Sequence, residues 1–307
     1  LAAENPKCYI LFMKLLTPKS DFVFKKLFTA DTDILRDLIN SVLNLPENLR
    51  IRSVEVRNPH ILPEEITQKF IVLDILVTDE SGQNYGMEMQ VRRYAYYPKR
   101  ALYYLSRIYS AQLQSGEDYE KLKPVTGIHF LDYEMFPDVN NFHFRFEMRD
   151  IRYPELTLTD DMSLHIIELS KAEKIINPAE PGNSLKEWLH FFNHAHEEDN
   201  NMRTACKNPA IRKAFDRLET LSADETVRHL ARMREEALRN ERSELFYAEK
   251  KGMEKGMETG IIKGGQEKAL KTAENLLLMG VLTPEQIAQA TGLDSEEIRK
   301  LQHMIRK

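Results

Sequence analysis

Three polar residues in one short stretch have the types and spacing of a metal-dependent hydrolytic site. Asp74 lies in an otherwise apolar run, and Glu88 and Gln90 occupy alternate positions of a second run. Because successive side chains of a β-strand point to opposite faces, Glu88 and Gln90 share one face. Carboxylates bind divalent cations such as Mg²⁺, which keeps waters and can also bind a phosphate group. The pattern is therefore compatible with metal-assisted chemistry on phosphate esters.

A predicted β-hairpin would bring these residues together. Residues 69–77 and 85–91 have strand character, and the polar turn between them contains Ser81 and Gly82. If the turn is centred on Ser81, facing residues have numbers that sum to about 162, so Asp74 faces Glu88. Facing carboxylates destabilise a sheet unless something compensates, and a shared cation would do so. The alternative is a pair of satisfied polar residues on the solvent face of a sheet.

A basic and aromatic stretch follows the hairpin. The interval between Met89 and Gly116 contains no Asp or Glu but has five Lys or Arg and six Tyr. This composition suits contact with a phosphate backbone. The alternative is a helix with solvated arginines and a tyrosine core, and we expect Tyr103 and Tyr104 in the core. Four cations are predicted to bind DNA: Arg92, Arg93, Lys99 and Arg100.

Composition limits the class of protein. The 307 residues are 42% hydrophobic with a net charge of −5, which argues against a protein that coats nucleic acid through bulk positive charge. Any contact with DNA must therefore use a local patch. No stretch approaches the roughly 18 apolar residues of a membrane-spanning helix. Cys8 and Cys206 cannot form a disulfide framework, and no secretory signal is evident, so we expect a cytoplasmic protein.

The elements that would position the hairpin predict an α/β fold. Amphipathic helices are expected between Thr17 and Leu45, and another helix is expected from about Pro98 to Leu113. Strands and helices interleave within one compact region, which is typical of the α/β class. The strand candidates are residues 51–56, 69–77, 85–91, 125–133, 142–148 and 164–169.

From residue 182 onward the pattern is helical. Glycines recur at every fourth position at 252, 256, 260 and 264 and would share one helix face. They favour close contact with another helix, such as that of a second subunit, over a loosely helical linker. Two final helices, at 283–290 and 294–306, resemble a helix-turn-helix pair. The second begins with acidic residues, which favours a capping or partner-binding module over DNA binding.

Several motifs in one order resemble the Rpn family of recombination-promoting nucleases, which are also described as transposases. The hairpin with Asp74, Glu88, Met89 and Gln90 is similar to the catalytic motif of PD-(D/E)XK phosphodiesterases in its Glu-x-Gln variant. The resemblance covers residues 13 to about 138, and the glycine repeat is also similar to the family's C-terminal segments. The supporting segments are residues 20–28, 100–107, 116–119, 122–125 and 127–133.

The resemblance implies a PD-(D/E)XK restriction-endonuclease-like core of helix, three-stranded meander, helix and strand. It implies an endonuclease that uses Mg²⁺, Mn²⁺ or another divalent cation on double-stranded DNA in recombination or mobile-element movement. Asp74, Glu88 and Gln90 would be catalytic. Asp74, Glu88 and the backbone carbonyl of Met89 would bind the metal, and Asp21 would reach it through water or only favour its own helix dipole. Gln90 occupies the family's lysine position and can only orient water, so activation falls mainly on the metal.

We expect five segments along the chain. Residues 1–12 are interpreted as an N-terminal extension, followed by a nuclease domain at 13–171, a helical region at 172–248, a glycine-repeat helical linker at 249–268 and a helical module at 269–307. The C-terminal helices are expected to support a homo-oligomer. Two alternatives use the same scaffold: a catalytically silent DNA-binding or assembly protein, and an RNA-directed nuclease or toxin.

Overall fold

The structure, a computed structural model, describes residues 14–58, 75–176, 184–197 and 206–305. Its α-helices are α1 (Asp21–Thr29), α2 (Thr32–Leu43), α3 (Tyr97–Ser110), α4 (Leu169–Ile175), α5 (Ser184–His194), α6 (Pro209–Ala223), α7 (Glu225–Met279), α8 (Pro284–Thr291) and α9 (Ser295–Ile305). Its strands are β1 (Val54–Val56), β2 (Ile75–Asp79), β3 (Asn84–Gln90), β4 (Val125–Leu131), β5 (His143–Arg149) and β6 (Thr157–Glu168).

The six described strands form one mixed sheet in the order β1-β2-β3-β4-β6-β5. Strands β1, β2 and β3 are antiparallel neighbours and form a meander. Helix α3 then connects β3 to β4, which runs parallel to β3. This is the predicted core of helix, three-stranded meander, helix and strand, and the α/β fold class is confirmed.

One face of the sheet carries the main hydrophobic core. Met87 and Met89 of β3 point into it together with Phe130 of β4. Helices α1, α2, α5 and α6 cover this face, and their aromatic rings pack closely, with the Phe28 and Trp188 centroids 5.7 Å apart. Helices α5 and α6, which the sequence assigns to a region of their own, therefore share the core of the sheet. The boundary at residue 171 stays a prediction.

Local hydrogen bonds explain where the first helices begin and how they join the later ones. Asp31 caps α2, because its side chain accepts from the backbone N–H groups of Asp33 and Ile34. One turn further on, Asp37 Oδ1 accepts from Trp188 Nε1 and from Asn208 Nδ2, each at 2.8 Å. This carboxylate therefore links α2 to α5 and to the start of α6.

Helix α3 covers the opposite face of the sheet. Tyr97, Ala101 and Leu105 recur every fourth position and are its buried residues. Tyr103 points away from the sheet and is 58% exposed. The predicted core position of Tyr103 is wrong, because the buried face of α3 repeats every fourth residue from Tyr97 and Tyr103 lies off that face.

The chain divides into two compact units, Leu1–Leu238 and Arg239–Lys307. In the second unit Ala273, Ile287 and Ile298 form a small core of their own. Helix α8 begins with the predicted capping signal, since Thr283 and Gln286 form a reciprocal capping box. The repeated glycines lie within α7, and an added Cβ at any of them would meet no atom within 4 Å. Among the described helices, none is both long and apolar enough to cross a bilayer.

Candidate active site

The described part of the hairpin has the register that the sequence predicts. Ile75 faces Met87, Leu76 faces Gly86 and Val77 faces Tyr85. The predicted partner of Glu88, Asp74, lies outside the described residues. Register in this sheet is fixed by burial, because a slip of one residue would turn the core-facing Met87 toward the other face.

Glu88 and Gln90 lie side by side on the face of β3 that α3 covers, and both are buried. Met89, between them, points into the main core on the other face. Their shared face follows from strand alternation and agrees with the sequence analysis. Gly86 lets α3 approach here, since a Cβ at this position would lie 3.1 Å from Ile108 Cδ1 of α3.

Arg100 of α3 joins the two side chains. Its Nη2 atom donates a short hydrogen bond to Glu88 Oε1 and another, of 2.6 Å, to Gln90 Oε1. Its guanidinium carbon lies 5.2 Å from the ring centroids of both Tyr94 and Tyr97. Burial alone would lower the pKa of Arg100, but the Glu88 carboxylate together with Tyr97 and Tyr104 outweighs it, and the pKa is raised. A carboxylate and a carboxamide oxygen thus converge on one positive charge.

His129 lies beside Glu88 on the same face of the sheet. The two residues are paired across β3 and β4, and His129 Nδ1 lies 3.9 Å from Glu88 Oε2. The same nitrogen shares a 2.9 Å hydrogen bond with the Tyr97 hydroxyl. Burial lowers the pKa of His129, with Glu88 opposing and Arg100 adding to that effect. A neutral imidazole therefore lies next to the Glu88 carboxylate, and a buried tyrosine is hydrogen-bonded to that imidazole.

Asp21 lies close to this group at the start of α1. It lines the same cavity of about 30 Å³ as Glu88 and Gln90, a space that suits about one water molecule. Arg234 of α7 is 4% exposed and its Nε donates to Asp21 Oδ2 at 2.9 Å. Each of the two acids around the cavity is thus paired with an arginine from a helix.

The donor atoms around the cavity suit a hard divalent cation. Carboxylate, carboxamide and backbone carbonyl oxygens are the ligands that Mg²⁺ and related cations take. The oxygens of Glu88 and Gln90 already converge on the cationic end of Arg100. Residues 14–58, 75–176, 184–197 and 206–305 contain no cluster of three or more His, Cys, Asp or Glu suited to a metal. A further acidic ligand would have to come from outside them.

The predicted DNA-binding cations fall into two groups. Arg93 and Lys99 are exposed, Arg92 is partly exposed, and Lys99 lies 5.4 Å from the ring centroid of Tyr96. Tyr96 itself is 75% exposed and has a left-handed backbone, with φ at 64°. These residues form a basic and aromatic surface, whereas Arg100 is directed at Glu88 and Gln90.

Four residues near the cavity are absent from the sequence-based site: Tyr97, His129, Tyr133 and Arg234. Burial, and secondarily the charge of Glu88, raise the pKa of Tyr133. Its hydroxyl is buried and has no hydrogen-bond partner within the described residues. The sequence alone could not place His129 beside Glu88, because the whole of α3 lies between β3 and β4 in the chain. No local pattern indicated Arg234, more than 200 residues from Asp21.

Comparison with protein families gives one match. A family model described as PD-(D/E)XK nuclease family transposase matches residues 18–248. This range contains the whole sheet, α1 to α6 and part of α7. Neither the curated proteins nor the solved structures gave a match.

Proposed function

The chain belongs to the PD-(D/E)XK nuclease family transposases, and from this premise we propose that it is a divalent-metal-dependent endonuclease acting on double-stranded DNA. It would hydrolyse phosphodiester bonds during recombination or mobile-element movement. The observation that carries the proposal is the convergence of the Glu88 and Gln90 oxygens on one cationic group at the end of β3. The proposed cofactor is Mg²⁺, with Mn²⁺ as the nearest substitute.

Asp74, Glu88 and the carbonyl of Met89 would hold the metal. If the register of β2 and β3 continued by one residue, Asp74 would pair with Glu88. Two facing carboxylates suit a shared cation and are unfavourable without one. When bound, a divalent cation lowers the pKa of a water and stabilises charge on phosphate. Asp21 lines the same cavity and would bind a water molecule that is itself bound to the metal.

Gln90 would orient the attacking water, because a carboxamide can neither take a proton as a base nor carry charge. Negative charge builds up on the phosphate in the transition state and needs a positive partner. Arg100 borders Gln90, lines the same cavity and has a side chain that is 27% exposed. We therefore assign Arg100 to the scissile phosphate and keep it within the DNA-binding set.

The remaining cations would bind the DNA backbone away from the cleaved bond. Arg92, Arg93 and Lys99 follow β3 directly, and Tyr96 adds an exposed aromatic face beside Lys99. Contacts of this kind fix the position of a duplex and carry no sequence information. Cleavage is therefore expected on many sequences.

The function is tested by nicking of supercoiled plasmid with purified protein. Conversion to open-circular or linear DNA is expected with Mg²⁺ or Mn²⁺, and none with EDTA. A matched RNA substrate separates the RNA-directed alternative. A protein that binds the plasmid but leaves it intact in every divalent cation would instead be the silent DNA-binding protein.

A further inference from the structure

Among the described strands, β5 lies at one edge of the sheet. It is the last strand in the order, and its one neighbour among the described strands is β6. An edge strand presents unpaired N–H and C=O groups, which can pair with another chain. Exposed apolar side chains lie on β5 and on its neighbour β6: Phe146 is 44% exposed, Met148 40% and Leu158 80%. Such a concentration is typical of an interaction surface.

The backbone groups that point outward can be identified. The carbonyl of Phe142 accepts from the Glu168 N–H of β6 at 2.8 Å, so the groups of Phe142 face β6. Backbone groups of alternate residues point to opposite edges of a strand. The groups of residues 144 and 146 therefore also face β6, and those of Arg145 and Glu147 face outward. An added strand would hydrogen-bond to these two residues.

The side chains on this edge alternate in charge. Glu147 forms ion pairs with Arg145 and Arg149 on either side of it, and its side chain is 9% exposed between the more exposed side chains of these two arginines. The aromatic groups of Phe144 and Phe146 lie on the other face of the strand, by alternation. The edge thus has a charged face and an apolar face.

This pattern is complementary to itself about Phe146, which lies in the regular part of the ladder, before the register shifts that follow Glu147. In an antiparallel pair with a two-fold axis at Phe146, Arg145 faces the partner subunit's Glu147 and Glu147 faces the partner subunit's Arg145. Phe146 then faces its own copy. An axis at Arg145 or at Glu147 would instead place two like charges opposite each other, which is destabilising. An axis midway between two residues would pair each outward-facing residue with one whose backbone groups face β6. No hydrogen-bonded ladder would then form.

We propose that the protein forms a symmetric dimer in which β5 pairs antiparallel with β5 of a second copy about Phe146. The contact is isologous, because both copies use the same surface. It joins the two sheets into one and brings Phe146 against its own copy. The inference does not depend on the nuclease activity and concerns a different surface from the C-terminal helices.

A charge-exchange experiment tests this contact in the full-length protein by sedimentation velocity. Arg145→Glu and Glu147→Arg each place two like-charged pairs across the axis, so each variant alone should dissociate at least about tenfold more readily than the wild type. An equimolar mixture should recover the dimer, because every charge then meets its opposite. The Arg145–Glu147 ion pair within each chain stays broken in the mixture, so recovery reports the contact between subunits.

Disulfide trapping places the axis. In a Cys8→Ser, Cys206→Ser background, Phe146→Cys should cross-link to its own copy, since facing Cβ atoms lie about 4.5–5.5 Å apart. Leu102→Cys is the control, because Leu102 of α3 is also exposed but does not belong to β5. The proposal is overturned if the wild type sediments as a 35.8 kDa monomer at every concentration. It is also overturned if both single variants dimerise like the wild type or their mixture stays monomeric.

Discussion

Arg100 lies between a carboxylate and a carboxamide that the sequence assigns to catalysis. A cation on the DNA-binding face would be expected to point to solvent, as Arg93 and Lys99 do. Arg100 instead donates to Glu88 and Gln90 and is flanked by Tyr94 and Tyr97. Since Gln90 cannot supply charge, the guanidinium brings to the site the positive group that the motif itself lacks.

Replacing Arg100 should separate cleavage from binding. Arg100→Gln is expected to slow single-turnover cleavage by about 100-fold or more, as loss of a transition-state contact does, and to change the DNA dissociation constant only a few-fold. Mn²⁺ affinity, measured by calorimetry, should stay the same or rise, because a competing cation leaves Glu88. Arg93→Gln is the control and should weaken binding with little effect on the cleavage step. Equal losses of binding and cleavage in Arg100→Gln would contradict its assignment to the scissile phosphate.

A buried histidine pair makes stability depend on pH. His143 Nε2 and His165 Nδ1 are 2.9 Å apart, and burial, with the charges of His143 and Arg145, lowers the pKa of His165 to about 3. The unfolded chain therefore binds a proton between about pH 6.5 and pH 3 that the folded chain does not bind. The stability that depends on a neutral His165 is present above pH 6.5 and is lost as the pH falls toward 3.

Urea denaturation at several pH values measures this effect. The free energy of unfolding is expected to fall by roughly 2 kcal/mol between pH 7 and pH 5 on account of His165. His165→Gln should make this dependence shallower, whereas His229→Gln, at an exposed position of α7, should leave it as in the wild type. The explanation fails if the His165 variant keeps the full slope.

At the scale of elements, helix caps and polar contacts between helices stabilise the helices that cover the sheet. Asp31 caps α2 and also forms ion pairs with Lys213 of α6, at 2.8 Å. Its carboxylate therefore stabilises the start of one helix and the contact between two. The pKa of Asp31 is lowered because the hydrogen bonds from Lys213, Ile34 and Asp33 outweigh its desolvation.

Removing this cap should cost measurable stability. Asp31→Ala is expected to lower the free energy of unfolding by about 1–2 kcal/mol, a usual loss for a helix N-cap. Asp31→Asn keeps a side-chain acceptor for the N–H groups and should cost less. Chemical denaturation of both variants gives the comparison. A loss as large in Asp31→Asn as in Asp31→Ala would assign the effect to Lys213 instead of the cap.

The elements were largely predictable, because periodicity and turn residues are local signals. The hairpin register followed from Ser81 and Gly82, and β4 begins at Val125 as expected. Strand β6 begins at Thr157, earlier than predicted, because its first half is polar and is supported by pairing with β5. The arginine partners of Glu88 and Asp21 were not predictable, since they come from helices whose docking depends on tertiary packing.

The net charge of the whole molecule is negative, whereas the surface proposed to bind DNA is positive. A net charge of −5 repels DNA at long range, so the proposed binding would depend on the short basic and aromatic surface after β3. Interaction with a phosphate backbone releases counterions, and affinity then falls with salt in proportion to the number of phosphates contacted. A small patch predicts a modest slope.

The salt dependence of DNA binding checks this account. In the presence of EDTA, Arg93→Gln should reduce the slope of log Kd against log salt by about 0.9, the value for one phosphate contact on duplex DNA. Arg217→Gln, an exposed arginine on α6, is the control and should leave the slope unchanged. If Arg217 matters as much as Arg93, the DNA lies on another face.

The central claim is that Asp74 and Glu88 hold one divalent cation that cleaves DNA, and its most direct test is plasmid nicking by matched variants. Asp74→Asn and Glu88→Gln keep the size of each side chain and remove its charge. We predict that both abolish Mg²⁺-dependent nicking while circular dichroism spectra and DNA binding stay close to wild type. Glu120→Gln, at an exposed position before β4, should cleave normally. Cleavage at the wild-type rate by either of the first two variants would contradict the account.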